Sequence, residues 1–179
     1  MEHRDGGAPD GPLCDLRHAA EHWRERSKAG ERVKAAVVNT ASASGTFAPN
    51  PGQANCGAAK AGIAALTLVA AAELGRYGVR VNAIALARTR MSVDVPVVGE
   101  LVKAPGDERA FDTFAPRHSS PLVAYLASER CGLTGKLFTV HGGLICECSG
   151  WTVGAELTTR GEWTIERLEA ALDGVSEAA

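Results

Sequence analysis

The amino-acid sequence predicts an α/β fold built on a parallel sheet. Short runs rich in valine and isoleucine alternate with longer helical patterns along the chain. The runs at 33–38, 79–85 and 137–140 carry apolar residues at consecutive positions, which is typical of strands covered on both faces. The chain has 179 residues, of which 45% are apolar, and this suits one domain with a core of its own.

The first helix is predicted over 12–29. Its apolar residues recur at helical spacing, Pro12 suits the first helical turn, and Gly30 suits the position after the last one. The strand at 33–38 follows it. Residues 41–55 are rich in Ser, Gly, Pro and Asn and predict a loop.

An alanine-rich helix is predicted over 57–77, before the strand at 79–85. Lys60 and Glu73 limit its uncharged run to about a dozen residues, whereas a membrane-spanning helix needs roughly 20. We therefore expect a helix buried on most of its circumference and no membrane partner.

The remaining half of the chain carries weaker patterns. Residues 92–118 predict a long loop or small lid. A helix is expected over 120–129, with Ser120 as its N-cap and Pro121 at its first position. Gly142 and Gly143 end the third strand, and a short amphipathic helix capped by Thr164 closes the chain.

Composition and charge argue against several classes of protein. A formal net charge of −2 argues against a nucleic-acid-binding surface, because binding to phosphates needs a clustered basic excess. Five cysteines without regular spacing do not predict a disulfide framework. Residues 1–11 are polar and glycine-rich, so we expect a flexible N-terminus without a secretory signal and a cytoplasmic protein.

Five blocks of sequence together resemble the short-chain dehydrogenase/reductase family, in the family's order and spacing. The blocks are Asn39 to Gly45, Gly52 to Gly62, Gly78 to Ile84, Arg88 to Met91, and Thr134 to Gly143. The segment from His18 to Arg24 is similar to a long helix of members related to hydroxyacyl-CoA dehydrogenases. The resemblance implies that residues 12–143 form the C-terminal half of a Rossmann-type domain, with three parallel strands and flanking helices. Residues 144–179 would be a C-terminal extension with a short helix.

The resemblance also implies a catalytic site. In the family, a serine after a strand and a Tyr-x-x-x-Lys pair on the next helix perform carbonyl and alcohol chemistry with NAD or NADP. Ser42 matches the serine, with Ser44 as the alternative because the following loop is one residue longer than in many relatives. Lys60 matches the lysine that holds the nicotinamide ribose, and Thr89 matches a threonine that contacts the nicotinamide.

Two departures from the family pattern bear on activity. Residue 56 is Cys where the family has Tyr, and a thiol sulfur lies about 3–4 Å nearer the backbone than a phenolic oxygen. In addition, no Gly-rich phosphate-binding loop with the family's spacing precedes residue 12. We therefore expect an oxidoreductase acting on the hydroxyl or keto group of a small molecule, such as a hydroxyacyl thioester, in a truncated and impaired form.

An alternative without catalysis stays open. In the family, the helices matching 12–29 and 57–77 form a dimer interface, so the chain could pair with itself or with a full-length relative. A truncated gene product without function is a third possibility.

Three further groups of residues have side chains that could form a site. Cys146 and Cys148 could bind a soft metal, but no second pair or histidine lies at ligand spacing, so no metal site is predicted. Arg88 and Arg90 are expected to lie in a solvated loop, although they could also bind the phosphate of an acyl-CoA. His18 and His22 lie on one face of the predicted helix and could chelate a metal ion. We instead expect that face to be packed against the protein or exposed to solvent.

Overall fold

The computed structural model describes residues 10–85, 88–107, 109–150, 152–153 and 156–176. The chain divides into two units, 1–148 and 149–179. The helices are α1 (Asp10–Lys28), α2 (Ala54–Leu74), α3 (Arg90–Val93), α4 (Pro96–Leu101), α5 (Ser120–Ala127) and α6 (Ile165–Ser176). The strands are β1 (Ala35–Ala41), β2 (Val79–Ala85), β3 (Leu137–His141) and β4 (Leu144–Glu147).

One four-stranded sheet organises the first unit. Its spatial order is β1-β2-β3-β4, with parallel pairing from β1 to β3 and an antiparallel β3–β4 pair. Ala35 lies opposite Val79 and Ala41 lies opposite Ala85, so β1 and β2 end at the same edge of the sheet. The parallel α/β architecture predicted from the sequence is confirmed.

The two faces of the sheet carry different helices because each strand points alternate residues to opposite sides. On one face, Val79 and Val81 pack with Leu74 of α2 and Leu16 of α1. On the other face, Ile84 packs with Leu126 of α5. β2 therefore contributes to the core on both faces of the sheet, as its mostly apolar sequence predicts.

The buried polar side chain of Asn82 joins β2 to the chain segment before β3. Asn82 is fully buried, and its Nδ2 donates to the carbonyl of Leu133 at 2.8 Å. Its Oδ1 accepts a hydrogen bond from the backbone N–H of Lys136 at 3.1 Å. Both ends of the amide are satisfied, so this asparagine fixes the approach to β3 without leaving a polar group unpaired.

The turn between α2 and β2 requires a glycine. Gly78 adopts a φ of +81°, and a Cβ there would lie 2.3 Å from the carbonyl oxygen of Val33. That close approach brings the chain ahead of β1 alongside the start of β2. The glycine thus sets where the two parallel strands begin to pair.

The fourth strand corrects the prediction of a three-stranded sheet. After Gly142, which has a φ of +59°, the chain reverses, and Leu144 to Glu147 pair antiparallel with His141 to Phe138. Residues 144–147 are therefore part of the sheet rather than of an extension. Most of this edge strand is exposed, so it lacks the buried apolar pattern from which the other strands were predicted.

Helix ends also differ from prediction in detail. Residues 10 and 11 belong to α1, whereas residues 1–9 of the predicted flexible N-terminus lie outside the described residues. Helix α2 begins at Ala54, inside the predicted loop. Ser119, not Ser120, is the N-cap of α5, because a short 3-10 turn over Pro116–Ser119 leads directly into that helix.

Within the described residues, the segment Ala54–Tyr77 is long and apolar enough by composition to cross a membrane. An 18-residue window of it has a mean hydropathy of 1.4, and 28% of that window is buried inside the protein. The expectation that this helix is buried on most of its circumference is therefore wrong. Ile63, Thr67 and Ala70 form part of its buried face. The same composition is found in helices that pack against a sheet.

The second unit contains α6. The backbone N–H of Arg167 donates to Oγ1 of Thr164 at 3.3 Å, so the predicted threonine cap is present. Ile165 and Leu172 of this helix are exposed.

Candidate active site

Ser42 is the first residue after β1, at the edge where β1 and β2 both end. Its Oγ accepts a hydrogen bond from the backbone N–H of Ser44 at 3.3 Å and so caps a short 3-10 turn over Ala43–Gly45. In this bond the Ser42 oxygen is the acceptor, which leaves its own O–H able to donate. A small molecule at the edge could accept a hydrogen bond from that hydroxyl.

Ser44, the alternative, is engaged in a different network. Its Oγ lies 2.5 Å from Oε1 of Gln53, and it accepts a hydrogen bond from Nδ2 of Asn50 at 3.0 Å. These contacts hold the loop between β1 and α2. The Ser44 hydroxyl thus donates to and accepts from other side chains of the protein. The Ser42 hydroxyl only accepts, so its O–H can still donate to another acceptor.

The loop lies directly on the first turns of α2. A Cβ on Gly45 would fall 2.4 Å from the backbone nitrogen of Ala61 and 2.7 Å from the carbonyl carbon of Lys60. Only glycine permits so close an approach of two backbones. Gly45 therefore brings the Ser42 loop against the helix that carries residues 56 and 60.

Lys60 is fixed to the end of β1. Its Nζ donates to the carbonyl oxygen of Thr40 at 2.9 Å, two residues before Ser42. Cys56 lies one helical turn earlier and is half-buried, so both side chains rise from one face of α2. The structure thus brings Ser42, Cys56 and Lys60 to one edge of the sheet.

Thr89 follows β2 at the same edge but is engaged in a helix cap. Its Oγ1 accepts the backbone N–H of Ser92 at 3.2 Å, and Ser92 Oγ accepts the backbone N–H of Thr89 at 2.7 Å. Residues 86–87, which join Thr89 to β2, lie outside the described residues. No hydrogen bond in the described part of the chain links Thr89 to Ser42, Cys56 or Lys60.

An ion pair that the sequence did not predict fixes the segment after β2. Arg88 forms a bidentate salt bridge with Asp112. Both side chains are largely buried, with 19% and 14% of their surface exposed. Arg88 also donates to the carbonyl of Val102 at 3.2 Å, and its backbone N–H donates to the carbonyl of Phe114. The expectation of a solvated Arg88 is therefore wrong. The side chain of Arg90 lies outside the described residues.

The same pair controls the charge of Asp112. The Arg88 guanidinium, through its hydrogen bond and its charge, lowers the pKa of the Asp112 carboxyl, and partial burial opposes this effect. Because the pKa is lower in the folded than in the unfolded state, the pair stabilises the fold above the ordinary aspartate pKa. The contribution is lost as the pH falls through the lowered value.

We expect Asp112→Asn to lower the urea midpoint of unfolding at pH 7, because the variant leaves the Arg88 charge without its partner. The loss should shrink as the pH falls from the ordinary aspartate pKa through the lowered one, because protonation then removes the same charge from the parent protein. Chemical unfolding followed by circular dichroism at pH 7 and at a series of acidic pH values measures the difference. Asp107→Asn, at an exposed position, is the control; a loss that stays the same throughout the acid series would contradict the assignment.

A cavity of about 430 Å³ lies between α1, β1 and α2 and reaches Lys60. Its wall includes Val38 and Thr40 of β1, and Asp15 and Ala19 of α1. Lys60 lines this cavity, so its ammonium can bind a second group in addition to the Thr40 carbonyl.

The hydrogen-bond donors at this strand edge suit one end of a nicotinamide cofactor. The ammonium of Lys60 and the hydroxyl of Ser42 lie at one strand edge, a donor set that suits the hydroxyls of a ribose and a substrate oxygen. Between residues 10 and 34 the structure describes α1 and the segment leading to β1, with no Gly-rich turn joining a strand to a helix. The described residues thus fit the nicotinamide end of such a cofactor and do not include a site for its pyrophosphate.

Side chains that could bind a metal ion form no comparable group in the part of the chain that the structure describes. In the described ranges, no group of three or more His, Cys, Asp or Glu side chains could hold a metal ion.

Comparison with known proteins identifies the family. Residues 16–145 match the family model described as enoyl-(acyl carrier protein) reductase. The chain is 45% identical over 130 residues to hydroxyacyl-CoA dehydrogenase ChsB1 of Mycobacterium tuberculosis, covering 70% of this chain and 39% of that protein. It is 37% identical over 116 residues to human (3R)-3-hydroxyacyl-CoA dehydrogenase, covering 62% of this chain and 43% of the relative.

Solved structures of similar proteins support the same family. A short chain dehydrogenase from Mycobacterium avium is 41% identical, with a TM-score of 0.79 over 96% of this chain and 55% of that one. A 4-hydroxyisoleucine dehydrogenase complexed with NADH and succinate is 28% identical, with a TM-score of 0.54 over 74% of this chain and 53% of its own. The chain spans about 40% of the length of the curated relatives it matches. It belongs to the short-chain dehydrogenase/reductase family, and is an oxidoreductase by family.

Proposed function

We propose that this chain carries the substrate and nicotinamide end of an NAD- or NADP-dependent site that interconverts a hydroxyl and a keto group in the cytoplasm. The observation that carries the proposal is the Lys60 ammonium, held 2.9 Å from the Thr40 carbonyl at the strand edge where Ser42 follows. A lysine fixed there can bind the hydroxyls of a ribose while a neighbouring serine binds the reacting oxygen.

Each residue has a separate role in this proposal. A bound nicotinamide cofactor supplies or accepts the hydride. Ser42 donates its hydroxyl proton in a hydrogen bond to the substrate oxygen and orients it. Lys60 holds the ribose from a position one helical turn after residue 56. Thr89 would contact the nicotinamide if it left its capping bond with Ser92.

Cys56 makes the proton transfer slow. Proton transfer to a substrate oxygen needs a donor within about 2.6–3.2 Å, or one bridging water. The Cys56 sulfur lies about 3–4 Å nearer the backbone than a tyrosine oxygen would. We therefore propose an impaired site, in which Cys56 occupies the acid/base position without the reach for direct transfer.

A hydroxyacyl or ketoacyl thioester is the substrate class we propose. Relatives above 35% identity, among them the Mycobacterium tuberculosis and human proteins, are named as hydroxyacyl-CoA dehydrogenases. The matched family model is described as a reductase of an enoyl-(acyl carrier protein). Acyl thioesters are long ligands, so most of their binding surface would come from outside the strand edge described here.

The test is a chimera in which the first four strands of the Mycobacterium avium relative precede Pro12 of this chain, with Cys56→Tyr. We expect the chimera to oxidise NADH or NADPH with a 3-ketoacyl thioester and to prefer it to a simple ketone. Lys60→Ala in the chimera should raise the KM for the cofactor, whereas Lys34→Ala, away from the edge, should not. A chimera that binds cofactor and turns over no carbonyl compound would contradict the proposal.

A second candidate function, assembly without catalysis, is favoured by one surface of α2. The surface is a stripe of small residues that recur at helical spacing and are exposed: Ala58, Gly62, Ala65, Val69 and Ala72. Small side chains let a second helix approach closely, and Val69 has 54% of its surface exposed. We propose that this stripe and the predicted helix 12–29 pair with a second copy or a full-length relative.

We expect the protein to be a dimer or larger at tens of micromolar, as measured by light scattering coupled to size exclusion. Val69→Arg should shift it towards monomer, because an arginine in the stripe would be buried without a partner. Glu169→Arg, at an exposed position of α6 outside the proposed surface, is the matched control and should leave the mass unchanged. A parent protein that is monomeric at this concentration would refute the pairing.

A further inference from the structure

Two half-buried thiols lie on one face of the β3–β4 hairpin. Cys146 is paired with Thr139 across the hairpin, and the backbone N–H of Cys148 donates to the carbonyl of Leu137 at 2.8 Å. Residues two apart on a strand point to the same side, so both thiols face the side on which Cys148 packs against the buried cluster that contains Leu137 and Ala83. The proposed oxidoreductase site uses neither thiol.

The residue between them holds the strand from the other side. Glu147 points to the opposite face and forms an ion pair with Lys136, with Nζ and Oε1 at 2.6 Å. Together with the ladder to β3, this pair anchors the strand that carries Cys146 and the start of the segment that carries Cys148. The two thiols are therefore presented from a fixed backbone rather than from a free loop.

The spacing of the two thiols decides what they can do together. Two residues apart on a strand, the Cβ atoms are about 6.6 Å apart, because a strand rises about 3.3 Å per residue. A disulfide needs Cβ atoms about 3.5–4.5 Å apart, so a bond between these thiols would require the strand to contract. One metal ion with metal–thiolate bonds of about 2.3 Å can join two sulfurs that are up to about 4.6 Å apart, a separation that two side chains on one face can reach without contraction of the strand.

We propose that Cys146 and Cys148 form a binding site for a soft metal ion that accepts two thiolate ligands, namely Cu(I). Thiolates select Cu(I) among biological metals by softness. On binding, each thiol loses its proton to solvent and forms one copper–sulfur bond, so one Cu(I) replaces two protons and no electron is transferred. The described residues contain no third His, Cys, Asp or Glu in reach, which disfavours ions that demand four ligands, such as zinc.

The test is anaerobic titration of the fully reduced protein with Cu(I) delivered as its coloured bicinchoninate complex. We expect the protein to withdraw one equivalent of Cu(I) and bleach the complex. Cys146→Ser and Cys148→Ser should each lose the ability to withdraw Cu(I) from bicinchoninate, because each leaves one of two thiolate ligands. Cys14→Ser, an exposed thiol on α1, is the control and should bind as the parent does.

A second measurement on the parent protein does not depend on the folding of a variant. Bound Cu(I) should protect Cys146 and Cys148 from alkylation by iodoacetamide, read by peptide mass spectrometry, while Cys14 stays reactive. The proposal is overturned if the parent fails to compete with bicinchoninate, if either serine variant competes as well as the parent, or if Cu(I) protects Cys14 to the same extent.

Discussion

Cys56→Tyr is expected to raise kcat about 10²-fold or more in the chimera that carries the relative's first four strands before Pro12. The magnitude is that of gaining a general acid or base. The phenol would extend from the same helical position, one turn before Lys60, whose amine is held at the end of β1. It would therefore reach the substrate oxygen that the thiol does not reach.

The same substitution in the present chain is expected to give no activity. Catalysis needs both the acid/base group and a positioned hydride donor, and groups that act as a unit do not contribute additively. Cys56→Phe in the chimera is the control, because it adds the ring without the hydroxyl. Consumption of NADH or NADPH, followed by its near-ultraviolet absorbance with a 3-ketoacyl thioester, measures all of these rates. If the chimera that retains Cys56 turns over as fast as the chimera with Cys56→Tyr, the thiol is a competent acid and our account of position 56 is wrong.

The elements with long apolar runs were predictable from the sequence. The strand predicted over 79–85 is β2 with the same bounds, because every residue of it except Arg80 is buried. The helix predicted over 57–77 is α2 followed by a short 3-10 turn over Gly75–Tyr77. For α2 the signal is its run of helix-forming apolar residues, of which only one face is buried.

Elements without a buried pattern were not predictable. β4 is four residues long, and Leu144 and Ile145 have about half of their surface exposed, so its sequence resembles a tail. It becomes a strand because the tight turn at Gly142 places it beside β3. The pairing of Arg88 with Asp112 is likewise a tertiary contact across 24 residues that no local spacing indicates.

The candidate site was predictable in part. The sequence placed Cys56 and Lys60 on one face of a helix, and the structure adds the contact that fixes Lys60 to β1. Ser42 and Ser44 could not be separated by counting residues, because the loop is one residue longer than in many relatives. The hydrogen bonds of Ser44 to Gln53 and Asn50 distinguish the two hydroxyls. Their roles in catalysis stay predictions.

The affinity of this chain for NAD⁺ is expected to be in the millimolar range or weaker. The pyrophosphate of the cofactor is bound in this fold class by a Gly-rich turn and a helix N-terminus. The described residues offer the nicotinamide end only the Lys60 ammonium and the hydroxyls at the strand edge. Loss of the pyrophosphate contacts removes most of the binding free energy and leaves the remaining contacts weak.

A titration of the ¹⁵N-labelled protein with NAD⁺, followed by amide NMR shifts, tests the central claim most directly. Our account predicts a dissociation constant of about 1 mM or weaker, with the shifts concentrated at Ser42, Cys56, Lys60 and Thr89. Lys60→Ala should abolish those shifts, while Lys34→Ala should leave them unchanged. A micromolar dissociation constant, or shifts that avoid the edge where β1 and β2 end, would contradict it.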